Sequence, residues 1–190
     1  MTALIDDCEK RRPHPDWAVL RALPYAELSA LRNWIEKPFR DEPPKAPPRG
    51  LWFGLIQRRS DDDTTIADLH VAGSERFNAD VHDNGWAVRP EWCPKSRSAE
   101  SAVLAAIYRI AYRQNEHSAS QPDCLGNDAE YSLCLGYAAF AVRALLAQVE
   151  PSLLLGRSQS LGVAVGFNDG DFVLLGRLTP SGLVPIAASQ

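Results

Sequence analysis

The chain is expected to fold as an α+β domain: a mostly antiparallel sheet of about five strands, helices packed on one face, and an N-terminal helical segment. Three observations predict this. Two stretches, LWFGLIQRRSDDDTTIADLHVAGS and LGVAVGFNDGDFVLLGRL, read as β-hairpins. Two helical stretches lie between them, so strands are segregated from helices rather than alternating with them. A third helical stretch, PDWAVLRALPYAELSALRNWIEKP, comes first and ends in a proline-rich connector, DEPPKAPPRG. Residues 1–49 thus form a helical segment with its connector, and 50–190 the α+β domain.

The elements follow in order. Asp16 can cap a short helix, and Pro24 can occupy the first turn of a second, where its missing N–H costs little. Leu28, Leu31 and Ile35 keep helical spacing until Pro38 stops the run. Four prolines between Asp41 and Gly50 make a stiff, extended connector, or a proline-rich ligand. Leu51–Arg58 is apolar on both faces and is expected at the centre of the sheet. Thr65–Gly73 alternates, with Ala67, Leu69 and Val71 on one face and Ile66, Asp68 and His70 on the other. Gly85–Arg89 reads as a short edge strand closed by Pro90. Ser98–Glu116 reads as a helix capped by Ser98. Asn127-x-x-Glu130 is a capping-box variant that starts a helix to about Val149, with Tyr131, Cys134, Ala138, Val142 and Leu145 along its apolar stripe. A strand at Leu153–Gly156 is expected before the last hairpin.

That hairpin contains NDGD, Asn168 to Asp171. Asp-Gly between apolar strands is a strong two-residue turn signal. With Asp169 and Gly170 in the loop, Phe167 pairs with Phe172, Val165 with Leu174 and Val163 with Gly176. Phe167, Val165, Val163 and Leu161 then share the core face with Phe172, Leu174 and Leu178. A calcium loop needs more oxygen ligands at alternating positions and a late Glu, so these acids read as a turn.

Composition narrows the function classes. The chain has 190 residues, is 45% apolar and carries a net charge of −4. A single domain with a sizeable core is expected, and no clustered basic surface for nucleic acid. MTALIDDCEKRR places charges where a signal peptide would be apolar, and the run LLAQVEPSLLL is interrupted by polar residues and Pro151. No membrane association and a cytoplasmic location are expected. Cys8, Cys93, Cys124 and Cys134 form no CxxC pair, so reduced thiols are expected, without a metal or other cofactor.

Candidate chemistry is sparse. Asp68 and His70 project from one strand face, the start of a general-base arrangement, but residues two apart on a strand sit side by side and need a nucleophile from elsewhere, and a solvated polar face is the plainer reading. Cys93, followed by Lys95 and Arg97 ahead of a helix, has the setting of an activated thiol, or of an ordinary loop cysteine. His82, Cys93, Cys124 and Cys134 could bind zinc only if the fold gathered them. Neither a phosphate-binding loop nor a dinucleotide fingerprint occurs. Trp52, Trp86 and Trp92 near the sheet are interface anchors or core. Asp61, Asp62 and Asp63 in the first hairpin, and Asp169 and Asp171 in the second, form acidic tips suited to a partner.

The stretches GLWFGL, LHVAGS, GWAVRPEWCP, LGYAAFAVRALL and VGFNDGDFVLLG, within residues 50–180, belong to a chain whose organisation resembles small immunity proteins of bacterial toxin systems. The resemblance implies a non-catalytic, cytoplasmic protein-binding module that neutralises a cognate toxin, with a basic toxin domain as partner. Asp61, Asp62, Asp63, Asp169, Asp171, Trp52 and Trp86 are the expected contact residues. The alternative is a small hydrolase-like enzyme using Asp68 and His70, or Cys93.

Overall fold

Gly50 to Leu55 is buried on both faces, and this places its strand at the centre of the molecule. In the computed structural model, which describes residues 1–59, 65–80, 83, 85–113, 124–168 and 170–186, four helices come first. They are α1 (Thr2–Arg11), α2 (Asp16–Arg21), α3 (Ser29–Ile35) and α4 (Lys37–Asp41). The strand pair β1 (Gly50–Arg59) and β2 (Thr65–Ser74) follows, then β3 (Ser98–Glu100). Helices α5 (Ala102–Tyr112), α6 (Asn127–Leu146) and α7 (Pro151–Leu155) precede β4 (Leu161–Phe167), β5 (Phe172–Thr179) and β6 (Gly182–Val184).

The sheet has six strands, one more than expected, in the order β3-β2-β1-β4-β5-β6. All neighbours are antiparallel except β1 and β4, which run parallel with Leu51 opposite Val163 and Leu55 opposite Phe167. The crossover between them carries α5, α6 and α7, all on one side. This helical face receives Leu51, Phe53 and Leu55 from β1, Ala67, Leu69 and Val71 from β2, and Val163 and Val165 from β4. Helix α6 packs there through Leu133, Cys134, Tyr137, Ala141 and Leu145. It is long and apolar enough to cross a membrane, yet half of its apolar window is buried inside the fold, as in a core helix.

Residues 1–49 join this same core. Ile5, Trp17, Leu20 and Ile35 are fully buried within it. Helix α1 was not marked by the sequence pattern; its apolar stripe is short, with only Ile5 and Cys8 buried. The proline-rich connector is tied down by its backbone: Trp92 Nε1 donates to the Glu42 carbonyl at 2.7 Å, and Ser158 Oγ to that of Pro48 at 3.0 Å.

On the opposite face of the sheet, Phe77, Trp86 and Ala87 pack over the strands. A second, smaller apolar cluster forms there from Trp52, Trp86 and Ala164, with Phe77, Ala87, Phe172 and Leu174 against it. Trp86 meets Trp52 edge-on at 6.2 Å between centroids and Phe77 at 5.1 Å.

Four elements differ from expectation. Gly85–Arg89 is a series of turns; the edge strand is β3, at Ser98–Glu100, where a helix start was expected. The helix begins later because Ser101, not Ser98, caps it, accepting from Leu104 N at 3.3 Å. Gly126 rather than Asn127 is the N-cap of α6, without a side-chain cap bond. Leu153–Leu155 is helical, started by Pro151.

The last hairpin also differs. Near its turn the pairs are Gly166 with Phe172, Val165 with Val173 and Ala164 with Leu174, one residue away from the expected register. Phe167 N donates to the Asp171 carbonyl at 3.1 Å, so three residues rather than two separate the closing pair. A bulge between Val163 and Ala164 restores the expected pairing of Val163 with Gly176. Phe167 therefore packs on the helical face, while Phe172 and Leu174 pack on the other.

Candidate functional site

The parallel pairing of β1 and β4 sets the geometry of the site. Both strands finish at the same end of the sheet, β4 at Phe167 opposite Leu55 and β1 four residues further on, at Arg59. The connections 60–64 and 168–171 therefore join strand ends on one edge of the molecule. Asp61, Asp62, Asp63 and Asp169 fall in these connections and lie outside the described residues. Asp171 is exposed and accepts a hydrogen bond from the Tyr131 hydroxyl.

Helix α6 starts at this edge. Tyr131, expected in the buried stripe, is 40% exposed. Its ring stacks on Phe167 with centroids 5.4 Å apart and planes inclined by 22°. Its hydroxyl is held above its ordinary pKa, first by the hydrogen bond to Asp171, and so stays a donor. Asp128 and Glu130 sit in the first turn of α6, where the helix dipole favours negative charge. Together with the end of α1 and the β4–β5 turn, these residues line an open cleft of about 920 Å³.

The cations of the cleft are already paired. Arg12 binds the Asp128 carboxylate at 2.5 Å and donates to the Leu125 and Cys124 carbonyls at 2.9 and 2.8 Å. These bonds fix the end of α1 to the start of α6. Arg11 pairs with Asp7 on its own helix at 3.2 Å. Further along the same edge Arg58 bridges Asp68 and Glu100, at 3.0 Å to each. Sequence reasoning missed Arg12, Tyr131 and Arg58, because their partners come from distant segments.

The second candidate lies on the loop-covered face. Asp68 and His70 share this face as the alternation predicted, but the carboxylate is taken by Arg58, and Asp68 Oδ1 and His70 Nδ1 are both buried without partners. The imidazole lies directly over β1: a Cβ on Gly54 would fall 2.0 Å from its Cε1. Burial first, then the charge of Arg97, pushes the His70 pKa down to about 4, so the ring is neutral at physiological pH. Beside it a cavity of about 240 Å³ is lined by Trp52, His70, Ala72, Ala87, Val88, Pro90 and Asn168. Each unpaired buried group costs about 1–3 kcal/mol. A base with so low a pKa and no adjoining nucleophile among the described residues is poorly arranged for hydrolysis.

The remaining expected residues are spread out. Trp52 and Trp86 are 6% and 4% exposed, so the segment over them, rather than the rings themselves, meets the surroundings. The Trp86 indole Nε1 is a third buried atom without a partner. Cys93 is exposed, with Sγ 3.9 Å from the Pro90 carbonyl, in a groove whose described lining includes Glu42, Glu75 and Glu91 but not a histidine. Cys134 is buried in α6, and burial pushes its thiol pKa up. His82 lies outside the described residues. Among the described residues there is no group of three or more His, Cys, Asp or Glu placed to hold a metal ion.

Comparison of the chain with protein-family models, with curated proteins and with solved structures finds no match in any of the three.

Proposed function

We propose that this chain is a non-catalytic protein-binding module, of the kind represented by cytoplasmic toxin-immunity proteins, and that it presents the acidic end of its sheet to a basic partner. The observation that carries this reading is the parallel pairing of β1 with β4. It brings two acid-bearing connections, distant in sequence, to one edge, beside a cleft whose own cations are neutralised by Asp7 and Asp128. A concentration of carboxylates near one end of a sheet speeds encounter with a basic surface. The resemblance in organisation to toxin-immunity proteins makes a basic toxin domain the partner of choice.

The test uses the wild-type chain and a variant with Asp61, Asp62, Asp63, Asp169 and Asp171 all changed to Asn. Both serve as baits in host extract, with captured proteins quantified by mass spectrometry. The reading requires a basic protein enriched by wild type, depleted with the variant, and bound again when purified. Equal capture by both baits, or capture of no protein, contradicts it.

A further inference from the structure

The two sides of the sheet are finished differently. On one side β3 pairs with β2 over three residues only, yet the outward backbone of β2 is met on both sides of that pairing. The Ala67 carbonyl accepts from Ser101 N at 2.8 Å, Val71 N donates to the Arg97 carbonyl at 2.9 Å, and Gly73 exchanges bonds with Trp92 at 2.9 and 3.0 Å. On the other side β6 pairs with β5 at Arg177–Thr179, and Arg143 Nη1 donates to the Leu175 carbonyl at 3.2 Å. The stretch before it is left open. Phe167 N bonds the Asp171 carbonyl, so the antiparallel alternation gives Val173 to β4 and turns the N–H and C=O of Phe172 and Leu174 outward. Among the described residues no strand or loop backbone meets them. Edges are ordinarily blunted by Lys, Pro or a covering segment, and Phe172-Val173-Leu174-Leu175 carries neither residue.

We propose that an extended basic segment of the protein partner adds to the sheet as a strand along Phe172–Leu174, end to end with β6, a contact that rests on the basic-partner reading and gives it a mode of binding. Strand addition draws affinity from main-chain bonds and specificity from alternate side chains. Here Val173, 37% exposed, and Phe140, one turn before Arg143 on α6 and 40% exposed, offer apolar contacts. Charge favours this occupant over a second copy. The open stretch begins beside exposed Asp171, with Asp128 and Glu130 lining the same cleft as Asp171, and two chains of net charge −4 meeting here would bring like charges together.

The probe is the heptapeptide acetyl-Lys-Val-Lys-Val-Lys-Val-Lys-amide, added to the full chain while hydrogen exchange is read at each backbone amide. Two controls are the same peptide with every backbone amide N-methylated, which keeps the charge and removes the donors, and the peptide with Glu for Lys. In the free chain Phe172 and Leu174 should exchange fast and Val173 slowly. Saturating Lys-Val peptide should slow Phe172 and Leu174 about tenfold or more, the N-methylated peptide should not, and the Glu peptide should bind at least about tenfold more weakly at low salt. Slow exchange at both amides without peptide would overturn the proposal; if that protection grew with protein concentration, the occupant would be a second copy. Binding of the Lys-Val and N-methylated peptides alike, with no slowing at Phe172 and Leu174, would overturn strand addition and leave the basic-partner reading standing. No binding of the Lys-Val peptide, or equal protection by the Glu peptide, would overturn the proposal, and the latter would count against a basic partner as well.

Discussion

His70 is held in a state that the unfolded chain does not share. Folded, it resists protonation down to about pH 4; unfolded, it takes a proton near 6.5. Acid therefore draws the chain towards the unfolded state across that window. The stability from keeping His70 neutral is complete above about pH 6.5 and is lost as pH falls towards 4, up to a ceiling of about 3 kcal/mol. His70→Gln should have a flatter dependence of melting temperature on pH between 7 and 4.5 than the wild type. Parallel pH profiles for the two proteins would mean that His70 is not the group responsible. That Asp68 and His70 share a face was legible from period-two alternation. Their environment was not: the room comes from Gly54 on the next strand, and Arg58 reaches Asp68 from there too.

Elements marked by local chemistry were readable. The bounds of β1, β2, β4 and β5 lie within about two residues of expectation, because alternating apolar residues and turn signals carry them. The short elements β3, β6 and α7 were missed or misread, since three to five residues hold too little pattern and their neighbours decide their state. Register in the last hairpin went astray for a definable reason. The three-residue loop shifts the pairing by one, and the bulge between Val163 and Ala164 shifts it back, so only the turn-proximal half of β5 turns the opposite way from expectation. Gly176 makes the bulge possible. Its φ of 148° is unfavourable for other residues, and a Cβ there would fall 2.3 Å from the Val184 carbonyl oxygen. Gly176→Ala should cost roughly 1–3 kcal/mol and release β6 from β5, measured by denaturant unfolding and by faster amide exchange at residues 182–184. Wild-type stability with β6 exchange unchanged would contradict this account of the bulge.

The whole molecule is organised around one core to which residues 1–49 contribute heavily. Ile5, Trp17, Leu20, Leu31, Trp34, Ile35 and Phe39 are all buried in it. At about 1.5–3 kcal/mol per large buried side chain, their sum reaches the 5–15 kcal/mol that a domain has in net stability. A chain of residues 50–190 alone should therefore lack cooperative unfolding and dispersed amide resonances. A sharp thermal transition in that fragment would show that the N-terminal helices are an accessory. Helical periodicity with prolines revealed the first segment, but not that it packs on the same core, because long-range contacts leave no mark in local spacing.

The same topology brings the two acidic connections to one edge, on which the functional reading depends. At that scale electrostatics acts on the rate of encounter, and exposed charges contribute little to stability. The most direct measurement is the association rate with the captured partner, from low to high salt, for wild type and for the variant with Asp61, Asp62, Asp63, Asp169 and Asp171 neutralised. The wild-type rate should fall about tenfold or more as the screening length shortens to about 10 Å and below, and the variant should start near the wild-type high-salt rate and change little. Identical rates for the two proteins at every ionic strength would contradict the account.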